Sequence, residues 1–364
     1  MHFINTFTFI QNKQNIYKLS NMFNYTIYGV ILESDLDIPM LVGAETGEKA
    51  DIFLRETVFS EDERRLYIEE ETVLGEKLSF FSNDDLICVM KNGNTILYEP
   101  LADSDIDRVR AFILGYGMAM LFLQRKMLAV HCSGIRFDDK AIMISGGSGS
   151  GKSSLARQFL EHGYGLMADD MMVAGSIKVR DTGMENETGQ RNENETRQQN
   201  ESETGLQDEN GIRQQNETET GTQDKTEIVL AYPAFPSTKL CADMVVRKGI
   251  YTEGLQLITE NKDKYLVPYE GDFSCEPARL EALCVIVVLA PEADVEILEV
   301  TGTDKLRLLI DNLFIDRSIM FYSNNPLAVS LAAQLASHIR VIVVGRPDGR
   351  DTTLEQYEGL KKIL

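Results

Sequence analysis

A glycine-rich run in the middle of the chain limits its fold more strongly than anything else in the sequence. Residues 146–153 read GGSGSGKS and match the pattern G-x-x-x-x-G-K-[ST]. The apolar residues 141–144 come directly before this run. After it, apolar residues recur at helical spacing, at Leu155, Ala156, Phe159 and Leu160. A buried strand, a glycine loop and a helix in this order open an α/β unit, so the run predicts an α/β fold.

Each residue type in the run suits the binding of a nucleoside triphosphate. Glycines let consecutive backbone N–H groups turn towards phosphate oxygens, and a helix N-terminus adds a favourable partial charge. Lys152 has the reach to contact the β- and γ-phosphates, and the Ser153 hydroxyl is a ligand for Mg²⁺. We therefore predict a P-loop that binds ATP and Mg²⁺, against the alternative of a flexible Gly/Ser loop that matches by chance. Its residues are Gly146, Gly147, Ser148, Gly149, Ser150, Gly151, Lys152, Ser153 and Ser154.

Two adjacent acids, Asp169 and Asp170, follow the predicted P-loop helix and come directly after the apolar residues 166–168. One acid of such a pair can accept the proton of an attacking hydroxyl while the other holds a metal ion or its water. An Asp-Asp pair by itself is more often a solvated turn, but its place after a P-loop favours catalysis. We predict that the two acids divide these two roles between them and act together with Lys152.

The rest of the chain divides into two predicted domains. Residues 22–102 form a small β-rich N-terminal domain, with extended segments at residues 25–31, 50–54, 66–70, 87–90 and 95–98. Residues 103–364 form the P-loop domain. It opens with a long helix at residues 103–124 and a hairpin at residues 128–136 and 140–145. Strands at residues 166–168, 171–174, 284–289, 295–300 and 340–344 then alternate with helices at residues 153–161, 304–313 and 353–364.

Two segments are predicted to be disordered, an extension at residues 1–21 and an insertion at residues 182–226. The insertion contains a near-copy repeat, RQQNESETGLQD at residues 197–208 and RQQNETETGTQD at residues 213–224. It has almost no apolar residues, so it cannot offset the entropy lost on ordering. It is either an expanded loop that the fold tolerates or a docking or regulatory segment.

Charge and composition exclude several classes of function. The formal net charge is -21, and residues 184–227 hold 12 acidic and 4 basic residues. Without a basic stripe, we expect no binding to nucleic acid or to anionic membranes. The apolar run at residues 111–123 is too short to span a bilayer. Five scattered cysteines without CxxC spacing indicate reduced thiols, so we expect a cytoplasmic protein. The sequence leaves the oligomeric state open, and a homo-oligomer is possible.

Residues 129–174, which read AVHCSGIRFDDKAIMISGGSGSGKSSLARQFLEHGYGLMADDMMVA, resemble the core of the HPr kinase family. That family shows a His on a strand, a hairpin, a P-loop, a helix, a Gly-aromatic turn and an Asp-Asp pair. Here they fall on His131, residues 146–153, Gly163-Tyr164 and Asp169-Asp170. Weaker similarity extends to shorter HPr kinase-like proteins of bacterial biosynthetic clusters, some of which are tailoring kinases of lasso peptides.

The resemblance implies a kinase domain similar to phosphoenolpyruvate carboxykinase, with ATP and Mg²⁺ as cofactors. It implies that Asp169 accepts the proton of a Ser hydroxyl, that Asp170 supports it and the metal, and that His131 lines the site. A lone His in an apolar stretch would otherwise be a core residue. Charge and position make either Lys239 or Lys264 a candidate for steadying the transferred phosphoryl group.

One departure from the family affects the expected activity. Bifunctional members carry a Glu-Ile-Arg-Gly stretch that is tied to phosphorolysis, and its nearest counterpart here is residues 227–230, EIVL. The loss of Arg-Gly argues against phosphorylase activity and against HPr as the substrate.

These observations lead to one preferred function and two alternatives. We expect an ATP-dependent serine kinase whose partner is a peptide or small-protein substrate, such as a ribosomal peptide precursor. The alternatives are a small-molecule kinase or carboxykinase-like enzyme on the same scaffold, and a nucleotide-binding accessory protein without catalysis. Intact acids at Asp169 and Asp170 argue against the accessory protein, because a scaffold could lose them freely.

Overall fold

The computed structural model describes residues 22–69, 72–180, 225–247, 249–253, 255–260, 262–315 and 325–364. The fold below is that of the larger unit of the chain, which contains residues 22–177 and 228–364. The predictions of disorder for residues 1–21 and for most of residues 182–226 lie outside the described residues.

The N-terminal part is built on an antiparallel-rich sheet. Its elements are β1 (Phe23–Ile27), β2 (Val30–Ser34), β3 (Val42–Gly43), β4 (Ile52–Glu56), α1 (Glu61–Glu69), β5 (Thr72–Val73), β6 (Leu78–Ser82), β7 (Leu86–Lys91) and β8 (Thr95–Pro100). Among the described residues this sheet has eight strands in the order β3-β1-β2-β4-β8-β7-β6-β5. Most of the strands of this part thus belong to one sheet, whereas a separate N-terminal domain at residues 22–102 stays a prediction, and two of the predicted segments differ from the structure.

The first incorrect segment is the single strand expected at residues 25–31. The structure has a hairpin there, because Tyr28 and Gly29 adopt φ angles of 50° and 69° and turn β1 back onto β2. The second is the strand expected at residues 66–70, which is wrong because α1 occupies this region. A capping box starts α1: Glu63 N–H donates to Ser60 Oγ at 3.3 Å, and Ser60 N–H donates to Glu63 Oε2 at 3.0 Å.

A long helix connects the two sheets, as residues 103–124 predict. It consists of α2 (Ile106–Phe112), a π-helical turn (Ile113–Gly117) and α3 (Met118–Gln124). In the turn, Met118 N–H donates to the carbonyl O of Ile113, five residues back. Every residue from Met118 to Leu123 is buried, so this apolar stretch belongs to the core.

The second part surrounds the P-loop. Its elements are β9 (Leu128–Phe137), β10 (Lys140–Gly146), α4 (Lys152–Glu161), β11 (Gly165–Arg180), β12 (Lys225–Tyr232), β13 (Ser237–Cys241), α5 (Ala242–Arg247), β14 (Gln256–Glu260), β15 (Lys262–Pro268), β16 (Ala278–Leu289), β17 (Glu296–Val300), α6 (Gly302–Asp311), α7 (Pro326–His338), β18 (Arg340–Pro347) and α8 (Thr353–Ile363). The predicted strands at residues 166–168 and 171–174 are one strand, β11. Strands β13-β15-β14 form a small separate sheet.

The larger sheet of this part places the P-loop at its centre. Among the described residues it has seven strands in the order β10-β9-β11-β12-β16-β18-β17, and β10 also pairs with β16. Strands β10, β16 and β18 run parallel, and β10 ends at Gly146 opposite Ile286. Ligands bind outside the carboxyl ends of such parallel strands. The fold is therefore mixed α/β with two large mixed sheets, and its similarity to phosphoenolpyruvate carboxykinase remains a prediction.

Two apolar cores cover the P-loop sheet. Helices α4 and α8 cover one face, where the rings of Phe159 and Tyr357 meet edge to face with centroids 4.9 Å apart. The larger core contains Leu32 of the first sheet, Phe122 of the connecting helix and Val130 of the P-loop sheet. Because these three parts share one core, the domain boundary at residue 102 stays a prediction. None of the described helices is long and apolar enough to cross a membrane.

Candidate active site

Glycines shape the P-loop where backbone or side-chain atoms would otherwise collide. Gly146 has a φ of 141°, and a Cβ there would lie 2.6 Å from the carbonyl O of Ile286 on β16. Gly151 has a φ of 108° and stands directly before α4, which begins at Lys152. The sequence predicted this strand, loop and helix, and the structure has all three.

Lys152 is folded back onto its own loop. Its Nζ donates to the carbonyl O of Gly146 at 2.7 Å and to that of Gly147 at 3.3 Å. Burial lowers the pKa of Lys152, while the nearby carboxylate of Asp170 opposes that shift. These carbonyls only hold the ammonium in place, so a triphosphate can take over its hydrogen bonds at little cost.

Arg346, on β18, holds the outer side of the loop. Its Nε donates to the carbonyl O of Ser150 at 2.6 Å, and its second terminal nitrogen donates to that of Gly149 at 3.1 Å. Within the loop, the Ser150 N–H donates to the carbonyl O of Gly147 at 3.1 Å, so the loop is held both from within and by Arg346.

The loop residues fit a magnesium-bound triphosphate. The Ser150 hydroxyl is buried and has no hydrogen-bond partner within the described part of the chain. Ser153 and Ser154 are exposed at the start of α4, and Gly147, Ser148 and Gly149 are exposed as well. A buried hydroxyl without a partner is costly unless a ligand satisfies it.

The acid pair is brought to the P-loop by the register of β11 with β9. Asp169 pairs with Ser133, Asp170 with Cys132 and Met171 with His131. The Ser133 hydroxyl donates to Asp169 Oδ1 at 2.9 Å, and the Lys239 N–H donates to Asp169 Oδ2 at 2.8 Å. Each oxygen of Asp169 thus has one donor and keeps a second lone pair.

Asp170 has two basic side chains as neighbours instead, Lys239 and His131. The Lys239 ammonium donates to Asp170 Oδ2 at 2.8 Å, and His131 Nδ1 lies 3.7 Å from Asp170 Oδ1. Asp170 also adopts a φ of 94°, which is rare for a residue with a side chain. Such backbone strain is concentrated at functional sites.

Different surroundings drive the pKa values of the two acids apart. Burial raises the pKa of Asp169 above its ordinary value, and its two hydrogen bonds only partly oppose this. Burial would also raise the pKa of Asp170, but Lys239 and then His131 outweigh it, so this pKa lies below its ordinary value. Burial lowers the pKa of His131 against the opposing effect of Asp170, which keeps the imidazole neutral at pH 7. Separated pKa values in adjacent carboxyls are typical of an acid–base site.

A loop after α6 closes the side of the site next to His131. The Asn312 carbonyl O accepts from the His131 N–H at 2.9 Å. The Ser145 hydroxyl lies 2.5 Å from the carbonyl O of His131 and 2.7 Å from Asn312 Oδ1. The ring of Phe314 lies 6.0 Å from the imidazole.

All sequence-predicted site residues line one cavity of about 830 Å³. They are His131, Gly146, Gly147, Ser148, Gly149, Ser150, Gly151, Lys152, Ser153, Ser154, Asp169, Asp170, Lys239 and Lys264. The structure therefore brings these residues together, and their roles stay predictions. Of the two lysine candidates, Lys239 contacts both acids.

Three residues of the site were missed from the sequence. Ser133 bonds Asp169, Asn312 bonds the backbone of His131, and Arg346 bonds the P-loop. Only Ser133 had a local signal, since it lies two residues after His131 on the same strand. The other two come from distant parts of the chain and no pattern marks them.

Comparisons with known proteins add little to this geometry. No protein-family model and no curated protein matches this chain. Among solved structures, it is similar to that of the Hpr(Ser) kinase/phosphatase from Coxiella burnetii, with 12% sequence identity and a TM-score of 0.27. The match covers 65% of this chain and 89% of that chain. A likeness of this size carries no argument about function, so the proposals below rest on the site itself.

Proposed function

We propose that this protein transfers the γ-phosphoryl group of ATP to a serine hydroxyl of a peptide or small protein. The observation that carries the proposal is the cavity in which a P-loop faces two adjacent carboxyls of opposite pKa shift. Phosphoryl transfer needs a triphosphate cradle, a group that takes a proton and a group that stays anionic beside a metal.

The P-loop residues would hold the triphosphate. Backbone N–H groups of the loop and the N-terminus of α4 suit the phosphate oxygens, and Lys152 would exchange its two carbonyl partners for them. Ser153 and Asp170 would hold Mg²⁺, which when bound neutralises phosphate charge and orients the γ-phosphoryl group.

Asp169 is suited to be the general base. Its raised pKa brings its basicity closer to neutral pH, where a base is most effective. The Ser133 and Lys239 donors fix its orientation, and a free lone pair on either oxygen can take the acceptor's proton. The acceptor oxygen then bonds to the γ-phosphorus as the bond from that phosphorus to the β–γ bridging oxygen breaks, and ADP leaves.

Lys239 and His131 would set the remaining charges around the acid pair. The Lys239 ammonium lies on Asp170 and lines the cavity, so it supplies positive charge next to the group being transferred. A neutral His131 can hold a hydrogen bond near Asp170 without repelling a metal ion.

The test is phosphoryl transfer to a library of serine-containing peptides with Mg²⁺ and ATP, followed by mass spectrometry. We expect a phosphorylated product from the wild type and none from Lys152→Ala, which should also lose ATP binding in calorimetry. Lys362→Ala, at an exposed lysine on α8, is the matched control and should behave as the wild type. A wild-type protein that binds no ATP in the presence of Mg²⁺ would contradict the proposal.

A further inference from the structure

The same cavity extends beyond the acid pair to a wall of aromatic side chains. Ring centroids of Phe112 and Tyr116 are 6.2 Å apart, those of Tyr116 and Phe314 are 5.8 Å apart, and Phe314 lies 6.0 Å from His131. These four residues line the cavity, and His131 is the one that reaches Asp170. The aromatic wall, defined as Phe112, Tyr116 and Phe314, is thus continuous with the acid pair through His131 and Asp170.

The π-helical turn is what presents this wall. Residues 111–112 and 114–116 all line the cavity, although a regular α-helix would turn some of them away. The turn is widened by the bond from Met118 N–H to Ile113 O, and such turns are frequent at functional sites. Gly115 sits at its centre, where a Cβ would lie 3.2 Å from Phe314 Cζ, so a larger residue here requires the Phe314 ring to shift.

The charged residues beside the wall are neutralised within the protein. Arg108 pairs with Asp85 at 2.8 Å, and Asp107 pairs with Arg110 at 2.8 Å. A second phosphate or carboxylate on the acceptor would therefore compete with existing ion pairs at this end of the cavity. The chemistry of the wall favours an uncharged, apolar group.

From this arrangement we infer that the acceptor carries a large apolar or aromatic side chain next to its reactive serine, and that the aromatic wall binds it. This inference rests on the proposed kinase function and adds the class of acceptor. A group seated against Phe112 and Phe314 would place the neighbouring hydroxyl at the acid pair. Burial of one such side chain and its ring contacts corresponds to a preference of about ten-fold or more over alanine.

The test uses the full-length protein with short serine peptides whose flanking residue is Ala, Lys, Leu, Phe or Trp. We expect kcat/KM to be at least about ten-fold higher for Leu, Phe and Trp than for Ala or Lys. The chain has no Trp, so the fluorescence of the Trp peptide reports its own environment. With Mg²⁺ and a non-hydrolysable ATP analogue, its emission should shift to the blue on binding.

Variants at the aromatic wall and a control variant away from the cavity distinguish a specific loss of the wall from a general loss of folding. Phe112→Ala and Phe314→Ala should each reduce the preference for the large side chains and the fluorescence shift. Gly115→Ala should push Phe314 into the cavity and reject Phe and Trp while still accepting Ala. Phe53→Ala, at a half-buried Phe on β4 away from the cavity, should keep the wild-type preference.

The possible results distinguish the inference about the acceptor from the proposed kinase function on which it rests. Equal kcat/KM for all flanking residues, or a preference for Lys, would overturn the inference while leaving the kinase function in place. If no peptide is phosphorylated although ATP binds normally in calorimetry, the inference about the acceptor is overturned as well. Absence of Mg-ATP binding would remove the kinase function as well.

Discussion

Asp169→Asn tests the role of the general base with little disturbance of the structure. The asparagine keeps one oxygen, which can accept from the Lys239 N–H now bound to Oδ2 at 2.8 Å. Its amide nitrogen then faces the Ser133 hydroxyl, which can rotate and accept, because a hydroxyl is both donor and acceptor. Both contacts of the wild-type carboxylate are therefore retained.

The expected loss is in the chemical step. Without a proton acceptor, kcat should fall by roughly 10²- to 10⁴-fold, the usual contribution of general base catalysis. ATP affinity should stay within about two-fold, because the hydrogen bonds of Asp169 go to Ser133 and Lys239, whereas we expect residues 146–153 to bind ATP.

The free energy of unfolding of Asp169→Asn, unlike its kcat, should not fall. A carboxyl whose pKa is raised by burial stabilises the fold fully below its ordinary pKa of about 4, and this contribution is lost as pH rises through the raised value. At neutral pH the wild type therefore holds a costly buried charge that asparagine lacks. Asp169→Asn should be at least as stable as the wild type in urea or thermal unfolding at pH 7.

The assay combines the pH profile of kcat/KM with calorimetry and unfolding. In the wild type, activity should fall on the acid side at a pH above about 4, as the raised pKa of Asp169 requires. That acid limb should be absent from the residual activity of Asp169→Asn. A variant that keeps more than about a tenth of the wild-type kcat, or that keeps the same acid limb, would refute the assignment of the base.

Two further substitutions test the neighbours of the base. Asp170→Asn should raise the Mg²⁺ concentration needed for half-maximal activity. It should also lower the free energy of unfolding in urea by about 1–2 kcal/mol, because the Lys239 ammonium loses its partner. An unchanged Mg²⁺ titration would argue against a role of Asp170 in metal binding. Arg346→Gln should weaken Mg-ATP binding about ten-fold in calorimetry, because two P-loop carbonyls lose their guanidinium donor; unchanged affinity would show that the loop holds its shape without Arg346.

Several elements were predictable because their signals are local. The P-loop needs glycines at backbone positions with positive φ, and Gly146, Gly149 and Gly151 supply them within six residues of the sequence. The helix at residues 103–124 and the hairpin before the P-loop follow from uninterrupted apolar runs and turn residues. At residues 66–70, where a strand was wrongly expected, the sequence also contains a local signal for a helix. This signal is the capping box of Ser60 and Glu63, which outweighs the apolar residues that follow it.

Other parts of the site could not be predicted, because they depend on strand register and on contacts between distant residues. Arg346 and Ser150 are 196 residues apart, and Ser145 and Asn312 are 167 apart. No single-sequence pattern marks such pairs. Likewise, nothing in the spacing shows that Lys239 would contact both acids, since this requires β13 to pack beside β11.

The sequence by itself thus determined the chemical types at the site: a loop that suits phosphate, a lysine, a hydroxyl and two carboxyls. These follow from residue identity and short spacing. Tertiary structure alone decided which carboxyl has a raised pKa and which a lowered one, because the pKa of each depends on burial and on neighbours such as Lys239. It also decided that an aromatic wall lines the same cavity as the acids, since Tyr116 and Phe314 meet only when the connecting helix packs against the loop after α6.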